Sequence, residues 1–248
     1  MKKTGVCVLG MHRSGTSCLA GSLQAAGVQL GEVVEFAPHN RKGNREHLGI
    51  RELNDAVLTT SGGAWNLPPH ELCWTAEQAA RRDAIVDHLA SLPGRCWGFK
   101  DPRSVLTMPF WHDAVPDLRI VATFRHPRAV ARSLAARDGM SLDGGLRLWM
   151  AYNELVLSWL TRRGGPLVSF DVPREEYLEA VGHAIRWLGL DEHPAAEGRQ
   201  DVFFDDELRH QSVEDASCQQ PLPPEVDHVY RHLDDYYRTC RHERPTTG

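Results

Sequence analysis

The residues best placed to do chemistry lie near the start of the chain. A glycine-bounded apolar run, 5–10 (GVCVLG), passes directly into Met11, His12, Arg13, Ser14, Gly15, Thr16 and Ser17, and helical pattern follows over 14–26. A loop between a buried strand and a helix start turns backbone N–H groups toward one point, where a phosphate can sit. The spacing fits the GxxxxGK[ST] loop of nucleotide triphosphatases except at Thr16, where those loops carry a lysine for the β- and γ-phosphates. A kinase or triphosphatase depends on that charge. Taken alone, the stretch also reads as a turn with Ser14 as a helix cap.

A second candidate follows the apolar run Leu118–Phe124. Arg125 closes that run and Ser133 lies eight residues later in RHPRAVARS. Positions 125, 129 and 133 step by four, which carries Ser133 above the helix start on the face nearest Arg125. A guanidinium and a hydroxyl so placed can clamp a phosphate distant from the first. Alone, this too is an ordinary strand–helix junction with Ser133 in water. Together, the two sites point to a nucleotide with phosphates at two places. A donor with one 5′-phosphate carrying a sulfuryl group would not need the missing lysine.

HRSGTS with RHPRAVARS resembles the paired signatures of sulfotransferases that use 3′-phosphoadenosine 5′-phosphosulfate (PAPS). The resemblance implies that Arg13, Ser14, Gly15, Thr16 and Ser17 hold the 5′-phosphosulfate, and that Arg125 and Ser133 hold the 3′-phosphate. LVSFD followed by PREEYLEAVGHAIRWLGL is similar to the strand–helix element after the second signature, so the likeness spans about residues 4–190. Arg13 is a departure from cytosolic members, which carry lysine there; Golgi-type and many bacterial members carry arginine. Arginine is a rigid, always-charged fork and a poor proton donor, so another group must serve the leaving oxygen.

Lys100, in GFKDPR after the apolar run Cys96–Phe99, is the leading cation. The same KDP string follows a strand in tyrosylprotein sulfotransferases, whose lysine contacts the transferring group. The alternative is a surface lysine paired with Asp101 or Glu46. For the base, the family resemblance favours Glu46 in GNREHLGIRELND, expected at the start of a helix, where a carboxylate also suits the helix dipole. His12 is its rival, with an ordinary pKa of ~6.5; it also reads as packing or as a contact to the nucleotide. Asp101 reads as a group that orients Lys100 or Arg103, and His112 as structural. The stripe Trp149, Tyr152, Leu155, Val156 and Trp159 reads as core. No metal-ligand spacing is present and sulfuryl transfer needs no metal, so none is expected.

The elements that must position these residues are legible as alternation. Helical pattern appears near 50–60, 76–92, 142–162, 174–188 and 224–240, with short apolar runs between, and Pro102 and Pro127 stand near helix starts. This predicts an α/β, P-loop-containing fold: a mostly parallel β-sheet with helices on both faces. One domain over 1–248 is expected, with its core at about 4–190, a wrap over 191–222, a last helix and a frayed tail. The 248 residues carry 28 Lys and Arg against 33 Asp and Glu, a net charge of −5 that argues against a nucleic-acid-binding surface. The six cysteines form no CxxC pair, and no apolar run approaches the ~20 residues of a membrane span. A cytoplasmic enzyme without membrane or nucleic-acid partners is expected, sulfating a small-molecule, glycan or natural-product hydroxyl. A P-loop kinase using ATP and a catalytically silent PAP-binding module are the alternatives. Acceptor choice is assigned to the loops at about 33–45, 61–75 and 191–222, with Trp65 and Trp74 as candidates for a cleft or an interface.

Overall fold

The computed structural model describes residues 3–36, 43–190, 218 and 220–240. Strands β1 (Thr4–Leu9), β2 (Val28–Gln29), β3 (Cys96–Lys100), β4 (Arg119–Phe124) and β5 (Leu167–Ser169) form one sheet in the order β2-β3-β1-β4-β5, every pair parallel. Helices α1 (Thr16–Ala25), α2 (Leu48–Thr60), α3 (Ala76–Ser91), α4 (Ser104–Ala114), α5 (Pro127–Asp138), α6 (Leu142–Arg163), α7 (Arg174–Trp187) and α8 (Pro224–Cys240) flank it, as the alternation predicts. The central strand β1 reads VCVL without polar alternation because both its faces are covered; Val6 to Leu9 are buried.

The chain leaves β1 for one side of the sheet and reaches β4 on the other, so the strand order reverses around β1. Open parallel sheets bind ligands at such a reversal, beyond the carboxyl ends of the strands. Register carries the candidate residues there: Val8 pairs with Lys100, Leu9 with Ala122, and Phe124 with Ser169.

Two differences from the sequence reading have local causes. Helix α1 starts at Thr16 rather than 14, because Arg13 (φ 67) and Gly15 (φ 80) hold left-handed backbone that a helix cannot enter. Strand β2 is two residues long, too short to leave a pattern in the sequence. Elsewhere Pro127 opens α5 as its first residue and Gly139 ends it at φ 68. In the α6 stripe Trp149, Tyr152 and Val156 are core, whereas Leu155 is 38% exposed and Trp159 half-buried. The loop tip 37–42, most of the expected wrap and the tail lie outside the described residues.

A buried amide fixes α2 against α4. Asn54, fully enclosed, donates from Nδ2 to Ser104 Oγ (3.1 Å) and accepts at Oδ1 from Thr107 Oγ1 (2.7 Å) and Trp111 Nε1 (2.8 Å). Each partner is itself buried, so the network closes without an orphan and holds one relative position of the two helices. That position matters because Glu46 enters α2 and Lys100 and Asp101 lead into α4.

Candidate active site

Residues 10–15 curve between β1 and α1, and among the described residues no side chain caps the helix start, an arrangement that suits an anion there. Close approach dictates the glycines. A Cβ at Gly15 would stand 2.1 Å from Phe170 Cδ2, and one at Gly10 would stand 2.7 Å from the Thr123 carbonyl oxygen. Ser14 is buried, and its Oγ has no hydrogen-bond partner among the described residues, while its carbonyl accepts from Thr123 Oγ1 at 3.0 Å. A hydroxyl held there without a partner suits an incoming oxyanion.

Arg13 turns away from this loop. Its left-handed backbone sends the side chain across to α5, where Nε donates to Ser133 Oγ at 2.7 Å. Sequence spacing groups Ser133 with Arg125; the structure bonds Ser133 to Arg13. Arg125 lies just beyond β4, its Nε donating to Asp171 Oδ1 (3.1 Å) and its Nη1 to the Arg13 carbonyl (3.3 Å). The Trp149 indole fixes Arg125 from behind, donating to its carbonyl at 2.9 Å. Asp171 Oδ2 also accepts from the His126 N–H at the mouth of α5, at 2.5 Å. Phe170 packs beside Gly15 with the Arg125 guanidinium 5.4 Å from its ring centre. Phe170 and Asp171 escape the sequence reading, although an aromatic and an acid directly at the carboxyl end of a strand were the signal available.

Lys100 is 1% exposed, not a surface lysine. Its Nζ donates to Glu46 Oε1 at 2.8 Å and to Ser17 Oγ at 3.2 Å, and Ser17 passes its own proton to the Asn44 carbonyl (3.1 Å). Glu46 precedes α2 in an extended segment rather than opening the helix, with His47 between. A short antiparallel bridge between Val33 and His47 sets its backbone, and the Glu46 carbonyl accepts from Val34 N–H at 3.0 Å. Asp101 is fully buried and turned to Arg103, accepting from its backbone N–H (2.7 Å) and its guanidinium (3.3 Å). Arg103 also donates to Asp55 Oδ1 at 2.6 Å. His12 packs its ring on Trp65, with centres 4.7 Å apart.

A phosphate-shaped loop, a second cationic site and a buried lysine–glutamate pair thus meet at one end of a parallel sheet. The profile of the sulfotransferase family matches residues 5–181. The chain belongs to the sulfotransferase family. Among solved structures it resembles the sulfotransferase domain from the Synechococcus PCC 7002 olefin synthase at 19% identity and a TM-score of 0.51, covering 99% of this chain and 98% of that one. That likeness is one of fold. No curated protein sequence matches the chain.

Charge in this sulfotransferase site is unevenly spread. Burial, with the cations Arg103, Arg137, Lys100 and Arg13 adding to it, pushes His12 well below its ordinary value of 6.5. Burial also lowers His126 and His47. Asp101 moves up, through burial first, with Glu46 adding to the shift and Arg103 opposing it. These directions predict how stability follows pH. A histidine whose folded pKa is depressed binds fewer protons folded than unfolded, so its penalty grows as pH falls below 6.5. Asp101 acts with the opposite sign and is relieved by acid. Denaturant midpoints are expected to fall between pH 7 and 5, and His12→Asn is expected to flatten part of that slope. Among the described residues no helix is long and apolar enough to cross a membrane, and no group of three or more metal-ligating side chains converges.

Proposed function

We propose that this sulfotransferase moves the sulfuryl group of PAPS to a hydroxyl of a small molecule, glycan or natural product, releasing PAP. It acts in the cytoplasm as a single domain over 1–248. The observation that carries the reading is the Lys100–Glu46 pair at 2.8 Å, joined through Ser17 to the start of α1. It supplies a cation and a base at one edge of a phosphate-binding loop. Family membership favours sulfuryl transfer over the kinase alternative, and the second cationic site favours a donor with two separated phosphates.

The residues present fit that donor. The N–H groups of Thr16 and Ser17 with the unpartnered Ser14 hydroxyl would take the 5′-phosphosulfate. Arg125 and Ser133, with Arg13 bridging them, would take the 3′-phosphate. The half-buried Phe170 ring lies between the two sites and offers its surface to the purine.

The reaction then needs little covalent work from the protein. The acceptor oxygen attacks sulfur in line while its proton passes to Glu46. The S–O bond to the 5′-phosphate breaks, and its electron pair stays on the phosphate oxygen. Glu46 and Lys100 neutralise each other at rest. Protonation of Glu46 removes that partner just as charge develops on the leaving oxygen, so Lys100 can turn to it. His12, ringed by cations and held neutral, is the poorer base of the two candidates.

Thermal-shift titration with PAP, 5′-AMP and ATP–Mg tests the donor. Saturation near 100 times the dissociation constant should add about 2.7 kcal/mol, or a rise of several degrees at roughly 2–4 °C per kcal/mol. PAP is expected to give that rise, AMP much less, and Arg125→Ala should abolish the difference. A response to ATP–Mg alone would overturn the reading.

A further inference from the structure

We propose that His12 binds the acceptor hydroxyl through Nε2, and that the acceptor is a neutral or anionic hydroxyl compound rather than an amine. The inference rests on the sulfotransferase reading above. Its first support is an orphan. His12 is 8% exposed, and its Nε2 is buried with no hydrogen-bond partner among the described residues. A buried imidazole nitrogen left without a partner is costly in a folded protein, and it calls for a partner that the chain itself does not supply.

The ring has no freedom to find a partner elsewhere. It lies 4.7 Å from the Trp65 ring and 6.0 Å from that of Tyr152. Trp65 is pinned in turn. The Tyr152 hydroxyl donates to its carbonyl at 2.7 Å, and the Arg137 guanidinium stands 5.4 Å from its ring centre. Four side chains from α5, α6, the loop after α2 and the phosphate loop therefore form one cluster. Trp65 and Arg137 act through His12 as positioning residues.

Electrostatics narrows the partner. The charges that bear on the His12 ring are Arg103, Arg137, Lys100 and Arg13, all positive. Three of these cations carry carboxylates of their own: Glu46 on Lys100, Asp55 and Asp101 on Arg103, and Asp138 on Arg137. Arg13 carries no ion pair among the described residues, its Nε bonding the neutral Ser133 hydroxyl, so the charge left uncompensated beside the ring is a cation, which disfavours an ammonium and favours a group that develops negative charge. A hydroxyl satisfies both demands. Its oxygen can accept from the Nε2–H of the neutral imidazole while its proton faces Glu46, and on losing that proton it becomes anionic beside Lys100.

The test uses the full chain saturated with PAP and histidine ring carbons labelled for NMR, the His12 signal being assigned by its absence in His12→Asn. The probes are 2-naphthol, 1-octanol and methyl β-D-glucoside as neutral hydroxyls, and 2-naphthylmethylammonium as the amine. At least one hydroxyl probe is expected to shift the His12 signal and to bind His12→Phe about tenfold more weakly. His12→Asn, which keeps a polar group, should recover part of that loss, and the ammonium should bind at least tenfold more weakly than 2-naphthol. PAP affinity should be the same in both variants. If PAP binds but no hydroxyl probe moves the His12 signal, or binding ignores His12→Phe, or the ammonium binds best, this inference fails alone. If PAP does not bind the unaltered chain, the donor reading fails and takes the acceptor role with it.

Discussion

Replacing Lys100 by alanine is expected to lower turnover by about 10²–10³ while PAP affinity changes far less, the loss typical of removing one preorganised charge from a transition state. The asymmetry follows from where Lys100 sits. Its Nζ touches Glu46 and Ser17, at the edge of the phosphate loop, and none of the groups around Arg125. It therefore meets charge that appears during transfer more than charge the donor already carries. The substitution also strands Glu46 without its cation, and breaking a buried pair from one side costs ~3–5 kcal/mol when the other charge stays enclosed. Rates are best compared well below the variant's own melting temperature. Abolished PAP binding with intact turnover of bound donor would show that Lys100 is a donor-binding group instead.

Glu46→Gln separates the base from the ion pair. The amide keeps the shape and still offers Lys100 an oxygen, but it cannot accept the acceptor's proton. Turnover is expected to fall by about 10²–10⁴, the range for removal of a positioned general base. The melting temperature should move little. If turnover survives, another group takes the proton, and His12→Asn in the same assay identifies whether it is the imidazole.

The sheet and most helices were legible because their signals are local. Short apolar runs such as VCVL and IVATF between turn signals read as strands covered on both sides, and Pro127 marks the start of α5 from the sequence alone. The loop was legible from its glycine spacing, and the structure gives the reason for the glycines: an added Cβ at Gly15 or Gly10 would come within 3 Å of Phe170 or of the Thr123 carbonyl oxygen. Partnerships across the fold were not legible. That Arg13 reaches Ser133 depends on a left-handed residue, and a non-glycine left-handed backbone has no sequence signature. Asp171 needed β5 laid beside β4 before it could be seen at Arg125. From sequence Trp65 is a candidate for a cleft or an interface, and only the Tyr152 hydroxyl and the Arg137 guanidinium show that it braces His12.

The hydrogen bond from Arg13 to Ser133 joins two residues 120 positions apart in the chain. With Arg125 also donating to the Arg13 carbonyl, the turn after β1 and the turn after β4 share one joint. Substitutions at the two ends are therefore expected to couple rather than add. A change at 133 that removes the hydroxyl frees the Arg13 fork as surely as a change at 13 itself, and pairs in such contact usually couple by ~0.5–3 kcal/mol. A lysine at 13 keeps the charge but has no second nitrogen with which to span the joint and face a ligand at once. In this chain Arg13 and Ser133 thus work as one unit, and an engineer who alters one residue inherits the other.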